Sequence, residues 1–365
     1  MKVLTDLGDL LQFMPGEKKK AILLAHDLIG TVRSKSANGL MMHSRLFSVE
    51  AIVDQNAEGA DTSKVCPGVT YKVPVYKSFS EAKKNHTVEV LILLVPPKSE
   101  NYRDVENAIK TNCFIINTSF DLLKEDKYLL HLFKKHNNHF VDLRDVTHQR
   151  AYPNPEIVNR KSKVVFVTGT DCGLGKRTAA YELTNEAKTR GINAVMYATG
   201  QTGLMLGEKG TIVDALIIEY SNGVVSQHVT ELSKQGYELI FVEGQSDVYH
   251  PANSAVSLAL LHGSNPDCIV LVHDDTRLNH KGFEEDAALY RMHPFQKHID
   301  VLEMLSLPCG PVYKTVAIAT IGDNNIENIS ASCKLPVADV RKPGGAAIIL
   351  DALLQHLEKE YLMGK

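Results

Sequence analysis

Runs of consecutive apolar residues recur along the whole chain. Each is closed by a polar turn and followed by a stretch with apolar residues every three or four positions. In the first part the runs lie at 20–26, 47–54, 88–95, 113–117 and 140–143. Continuous hydrophobicity, rather than strict alternation, marks strands covered on both faces. Helical spacing falls between them, at 36–46, 100–111 and 121–136. The pattern resumes with apolar strands at 164–169, 194–197, 238–243, 268–273 and 315–320, and an amphipathic helix at 345–361 closes it. Strand and helix in alternation predict the α/β class with parallel sheets. The polar, proline-bearing stretch Ala151-Tyr-Pro-Asn-Pro-Glu156 is the expected linker.

The turn after the strand at 164–169 is the richest in chemistry. It reads Gly169, Thr170, Asp171, Cys172, Gly173, Leu174, Gly175, Lys176, Arg177 and Thr178, and a good helix former follows. A strand, a glycine-rich turn and a helix start aim backbone N–H groups at one point, where phosphate oxygens bind with help from the helix dipole and a lysine. The loop departs from the Walker A pattern. Thr170 stands where that pattern has its first glycine, and Arg177 stands where a magnesium-ligating Ser or Thr would follow the lysine. The expected organisation is therefore an N-terminal Rossmann-like parallel-sheet domain over 1–155 and a C-terminal P-loop NTPase-like α/β domain over 156–365. In the first of these, Asp54 sits where a dinucleotide fold carries its ribose-binding acid. The first strand, however, is followed by His26-Asp-Leu-Ile-Gly30 rather than G-x-G-x-x-G, so no dinucleotide is expected there.

Composition narrows the class. The chain has 365 residues, 44% hydrophobic and 23% charged, with a net charge of -3, which suits a globular protein with ample core. Without a basic face, nucleic acid is not expected as a partner. No apolar run approaches membrane-spanning length, and the start of the chain resembles neither signal nor transit peptide. Six dispersed cysteines without a CxxC pair fit reduced thiols, so a cytoplasmic location is expected.

Four further groups carry candidate chemistry. Glu243 ends an apolar strand, where an acid can hold magnesium, accept a proton from an amine or merely cap a turn. His250, in the polar stretch 245–254, is a second candidate base, or a histidine satisfied in a turn before Pro251. Gln201 and Thr202 are flanked by Gly200 and Gly203, which suits a backbone close to a ligand; with Gln245 they form the candidate substrate-binding set. Arg277 closes it as a clamp for a carboxylate, or as an ion-pair partner. The turn at Asp339 to Lys342 is read as structure.

The loop from Gly169 to Lys176, Thr199-Gly-Gln-Thr-Gly203, Val242-Glu-Gly-Gln245 with His250-Pro, and 261–267 together resemble a bacterial family that includes D-glutamate N-acetyltransferases. The resemblance spans nearly the whole chain and implies a Rossmann-like domain joined to a P-loop domain. More remotely, Gly169-Thr-Asp with Gly175-Lys176, and Val242-Glu-Gly, are similar to dethiobiotin synthetase, although Ala198 and Arg177 replace a lysine and a threonine of that enzyme. The family's glycine pair is replaced by Val95-Pro-Pro-Lys-Ser99, and its Gly-Leu-His near 117–119 is absent. The substrate therefore need not be D-glutamate.

The resemblance implies an acetyl-CoA-dependent N-acyltransferase acting on an amino acid. Residues Gly169 to Thr178 would hold cofactor phosphates and Glu243 or His250 would be catalytic. No metal is expected in that case. The alternatives are an Mg-ATP-dependent ligase or kinase, with Thr178 and Glu243 around the ion, and a nucleotide-gated binding protein. A small-molecule amino acid is the expected partner, and a homo-oligomer the expected assembly.

Overall fold

The computed structural model describes residues 17–31, 33–66, 68–286 and 289–363. The extreme N-terminal stretch considered above as a targeting segment lies outside the described residues. The chain packs as two compact units, Met1–Val146 with Gly200–Glu208, and Thr147–Thr199 with Lys209–Lys365. The expected single division at 155/156 thus differs in two respects. The polar turn from 147 goes with the second unit, and a short excursion after Thr199 goes with the first.

Among the described residues the first unit holds six strands: β1 (Lys19–Leu24), β2 (Phe47–Val53), β3 (Val75–Tyr76), β4 (Val90–Leu93), β5 (Phe114–Asn117) and β6 (Phe140–Asp142). All pairings are parallel, in the order β3-β2-β1-β4-β5-β6. Its helices include α1 (Lys35–His43), α2 (Thr62–Val65), α3 (Phe79–Asn85), α4 (Tyr102–Lys110) and α5 (Lys127–Lys135). The starts of α3 and α5 are capped by Ser78 and Asp126, which accept from Glu81 N–H and from Tyr128 and Leu129 N–H. This strand order is the doubly wound one, with its switch point between β1 and β4. There Asp54 is buried and turned back on the chain, accepting from the N–H groups of Asp27, Ile29 and Asn56, each at 3.1 Å. The residue at the ribose-acid position is committed to tying down the loop after β1, in keeping with the missing G-x-G-x-x-G.

The second unit contains β7 (Lys163–Gly169), β8 (Ala194–Ala198), β9 (Lys209–Gly210), β10 (Leu239–Glu243), β11 (Cys268–Val272), β12 (Thr315–Ala319) and β13 (Val337–Ala338). They form one sheet, ordered β13-β12-β11-β7-β10-β8-β9, again wholly parallel. Helices α6 (Lys176–Thr189), α8 (Ile218–Lys234), α9 (Ser254–Ser264), α10 (Phe295–Met304), α11 (Asp323–Ser332) and α12 (Gly345–Met363) cover it. Val164 and Phe166 of β7, Ile240 and Val242 of β10, and Ile269 and Leu271 of β11 share a core with Val225 and Val229 of α8 and Leu260 and Leu261 of α9. The intervening strand residues face the other way, and α6 packs there over β7, β8 and β10 and against α12. Each large side chain buried in this way contributes about 1.5–3 kcal/mol. The fold is α/β with two parallel sheets, and β7 lies at the centre of the second with the glycine-rich turn at its C-terminal end.

Candidate functional site

Gly169 ends β7 where two backbones converge: a Cβ on it would lie 2.9 Å from the Val272 carbonyl oxygen of β11. The chain then turns through Gly173 and Gly175, at φ +73° and +100°, conformations that side-chain-bearing residues adopt only under strain. Gly175 is the N-cap of α6, and no side chain caps that helix. A helix start of this kind concentrates N–H donors and positive dipole where an anion fits. Lys176 is buried and folded over the loop, with Nζ donating to the Asp171 carbonyl oxygen at 2.5 Å.

The next residue, Arg177, lies in the field of Glu243. Burial pushes its guanidinium pKa down, and the Glu243 charge pulls it back up. Glu243, at the end of β10 beside β7, accepts from Thr199 N–H at 3.1 Å, and its carbonyl oxygen accepts from the Thr199 hydroxyl at 3.0 Å. Gln245 donates to the Thr199 carbonyl oxygen at 2.6 Å. Glu243, Gln245 and the end of β8 are thus stitched together alongside the loop. Thr178 follows on the first turn of α6.

Asp171 organises the other side of the loop. It is fully buried, and its carboxylate accepts from Arg277 at 2.9 Å, from Lys281 N–H at 2.8 Å and from His280 Nδ1 at 3.3 Å. Arg277, expected to clamp a substrate carboxylate, is given an internal partner here, because the segment after β11 folds back across the loop. His250 is also buried. Its Nδ1 accepts from Ala252 N–H at 3.2 Å, which leaves Nε2 to carry the proton and donate to the Lys281 carbonyl oxygen at 3.3 Å. Both ring nitrogens are therefore engaged. Cys172 Sγ meets the Ser246 hydroxyl at 3.2 Å. Asp171, Cys172 and His250 bring one potential metal-ligand atom each within 4.8 Å of one another, but Asp171 and His250 are already satisfied by the bonds above. A second buried pair lies beside them, His298 Nδ1 to Asp247 Oδ1 at 2.8 Å.

Gln201 and Thr202 are placed differently from expectation. They open a short helix, α7 (Gln201–Leu206), that belongs to the first unit. Thr202 shares a hydrogen bond of 2.8 Å with Ser36, Gln201 accepts from Arg144 at 3.3 Å, and Glu208 pairs with Arg45 at 2.7 Å. These bonds hold the excursion in that unit. The turn near the end of the chain is structural, with Arg341 bound to both oxygens of Asp339.

Sequence reasoning does not single out His280, Lys281, Asp247 or His298. The available signal is the dense run of charged and histidine residues at 273–281, directly after an apolar strand.

A parallel sheet with an uncapped helix start, a buried lysine and a glycine-rich turn at the end of its central strand defines a P-loop domain. Residues 151–349 match a family described as domain of unknown function DUF1611, C-terminal P-loop domain, and the chain belongs to that family. The crystal structure of a DUF1611 family protein from Anabaena variabilis superposes with a TM-score of 0.83 at 25% identity, covering 93% of this chain and 100% of that one. A D-glutamate N-acetyltransferase from Pseudoalteromonas is 31% identical over 178 residues, 49% of this chain and 52% of the relative. Another of that name, from Tritonibacter scottomollicae, is 29% identical over 210 residues, 55% of this chain and 61% of the relative. The matched part of the chain spans between half and two thirds of the length of these curated relatives. The remoter resemblance to dethiobiotin synthetase finds no support in these likenesses. No helix among the described residues is long and apolar enough to cross a membrane.

Proposed function

We propose that this protein is an N-acyltransferase that transfers an acyl group, in the first instance acetyl, from coenzyme A to the amine of an amino acid such as D-glutamate. The names of its curated relatives support acetyl transfer. The observation that carries the choice of cofactor is Arg177, set in the field of Glu243 directly after Lys176. Loops that use Mg-nucleotides put a hydroxyl at this position and an acid near the ion. A guanidinium here supplies the positive charge itself and competes with a divalent cation for Glu243. The loop thus fits a diphosphate held without metal, as in coenzyme A.

When bound, the cofactor supplies the acyl group as a thioester. In this reading Lys176, Arg177 and the start of α6 hold its phosphates. Only a neutral amine attacks a thioester carbonyl, so the substrate ammonium must first lose a proton. Glu243, buried at the end of β10 beside the glycine-rich turn, is the favoured acceptor.

Thermal stabilisation by acetyl-CoA, CoA, Mg-ATP and NAD, measured side by side, tests the cofactor. Stabilisation by the two CoA compounds in the presence of EDTA is expected, followed by N-acetyl product from an acidic D- or L-amino acid. Stabilisation by Mg-ATP alone would overturn this reading in favour of a ligase or kinase.

A further inference from the structure

Lys281 is a cation beside the glycine-rich turn that the proposed chemistry leaves unused, and its placement is specific. Its main chain is fixed from both sides by buried groups: its N–H donates to Asp171 at 2.8 Å, and its carbonyl oxygen accepts from His250 at 3.3 Å. Arg277 and His280 tie the same stretch to the same Asp171 carboxylate. The result is a strap, residues 277–281, stapled across the glycine-rich turn. The Lys281 side chain continues over it. A Cβ on Gly173 would lie 3.1 Å from Lys281 Nζ and 3.4 Å from its Cδ. The ammonium therefore rests against the turn itself, the same turn over which Lys176 folds onto the Asp171 carbonyl oxygen. No carboxylate among the described residues lies within 4 Å of it as an ion-pair partner, whereas Arg277 has Asp171.

Three cations thus border one turn: Lys176 from the helix start, Arg177 beside Glu243, and Lys281 from the strap. A single phosphate needs fewer than this. Two linked phosphates carry enough charge and enough oxygens to engage several of these cations at once. Fixing the backbone of Lys281 lowers the entropic cost of bringing its side chain onto the ligand, because only the side-chain torsions remain to be ordered.

We propose that Lys281 is a second phosphate-binding residue of the loop, held over Gly173 by the strap that Asp171 and His250 fasten, and that the pair Lys176–Lys281 selects a diphosphate over a monophosphate. The inference rests on the loop's being a phosphate site and adds to it a residue and a ligand class. Arg277, in this view, is a positioning residue that keeps the strap down.

Calorimetric titration of the full chain with inorganic pyrophosphate, inorganic phosphate and CoA, in EDTA, tests it. The proteins compared are the wild type, Lys281→Met, Lys281→Arg and Lys176→Met, each first shown to keep the wild-type melting temperature within a few degrees. Wild-type binding of pyrophosphate and CoA, with weakened binding in Lys176→Met, tests the phosphate-loop reading by itself. Lys281→Met is expected to lose about tenfold or more in affinity for pyrophosphate and CoA but little for phosphate, with Lys281→Arg close to wild type. Wild-type affinities in Lys281→Met, alongside a loss in Lys176→Met, would overturn the role of Lys281 and leave the loop intact. Equal losses for phosphate and pyrophosphate would overturn the diphosphate selectivity. Absence of any binding to the wild type would overturn both the proposal and the reading it rests on.

Discussion

His273 sits under the glycine-rich turn, its Nδ1 sharing a hydrogen bond of 2.9 Å with the Thr170 hydroxyl and its ring packed against Phe295. Burial drives its pKa from the ordinary 6.5 down to about 4, although Asp275 and Asp274 pull the other way and His298 adds to the lowering. Above pH 6.5 the folded and unfolded chains both hold it neutral, and it has no effect on stability. As pH falls below 6.5, the unfolded chain takes up a proton that the folded one refuses until about pH 4. Stability is therefore lost across that window, by up to about 3 kcal/mol. A His273→Gln variant, which has no such proton to take up, should show a flatter acid limb when urea stability is measured from pH 7 to 4. An unchanged limb would show that other groups set the acid sensitivity. The same scale limits what the chain's order reveals. Asp171, His280 and Lys281 meet across more than a hundred residues, and no local spacing encodes that meeting.

Helix α6 is bounded by glycines with different tasks. Gly175 starts it at φ +100° and Gly191 follows its end at φ +80°, and nothing crowds a Cβ at Gly191. Alanine at either position should cost on the order of 1 kcal/mol through the left-handed backbone. Gly175→Ala should in addition weaken pyrophosphate binding, because its N–H groups form the loop, whereas Gly191→Ala should bind as wild type. Comparing melting temperatures and pyrophosphate affinities of the two variants checks this, and equal binding in both would separate the turn from the ligand. At the scale of elements most of the fold was legible. β7, β10 and β11 are buried on both faces, so their hydrophobicity is continuous and unmistakable. The two-residue strands β3, β9 and β13 were not legible, because they are too short for any period to develop. The stretch from Thr199 to Met205, with Gly200 and Gly203 flanking Gln201 and Thr202, reads locally as backbone close to a ligand. Gly200 is the N-cap of a short helix that contains Gly203, and Gly207 ends it at φ +98°.

At the scale of the whole molecule, the glycine-rich turn and the strap both lie in the second unit. Hydrogen exchange with and without CoA should show slowed amides at 169–178 and 277–282, and unchanged rates in β1 to β6. Slowing around the β1–β4 switch point would instead bring the first unit into the ligand site.

What the sequence determines alone is the α/β class, the parallel sheets and the glycine-rich turn with its lysine. These follow from hydrophobic period, turn residues and helix starts, all of them interactions between near neighbours in the chain. Only the tertiary structure decides that Asp54 closes its own loop, that Arg277 answers to Asp171, that Gln201 and Thr202 join the first unit, and that Lys281 lies over Gly173. Each of these depends on which distant segment reaches a buried polar group first, since a group removed from water must find its partner wherever the fold supplies one.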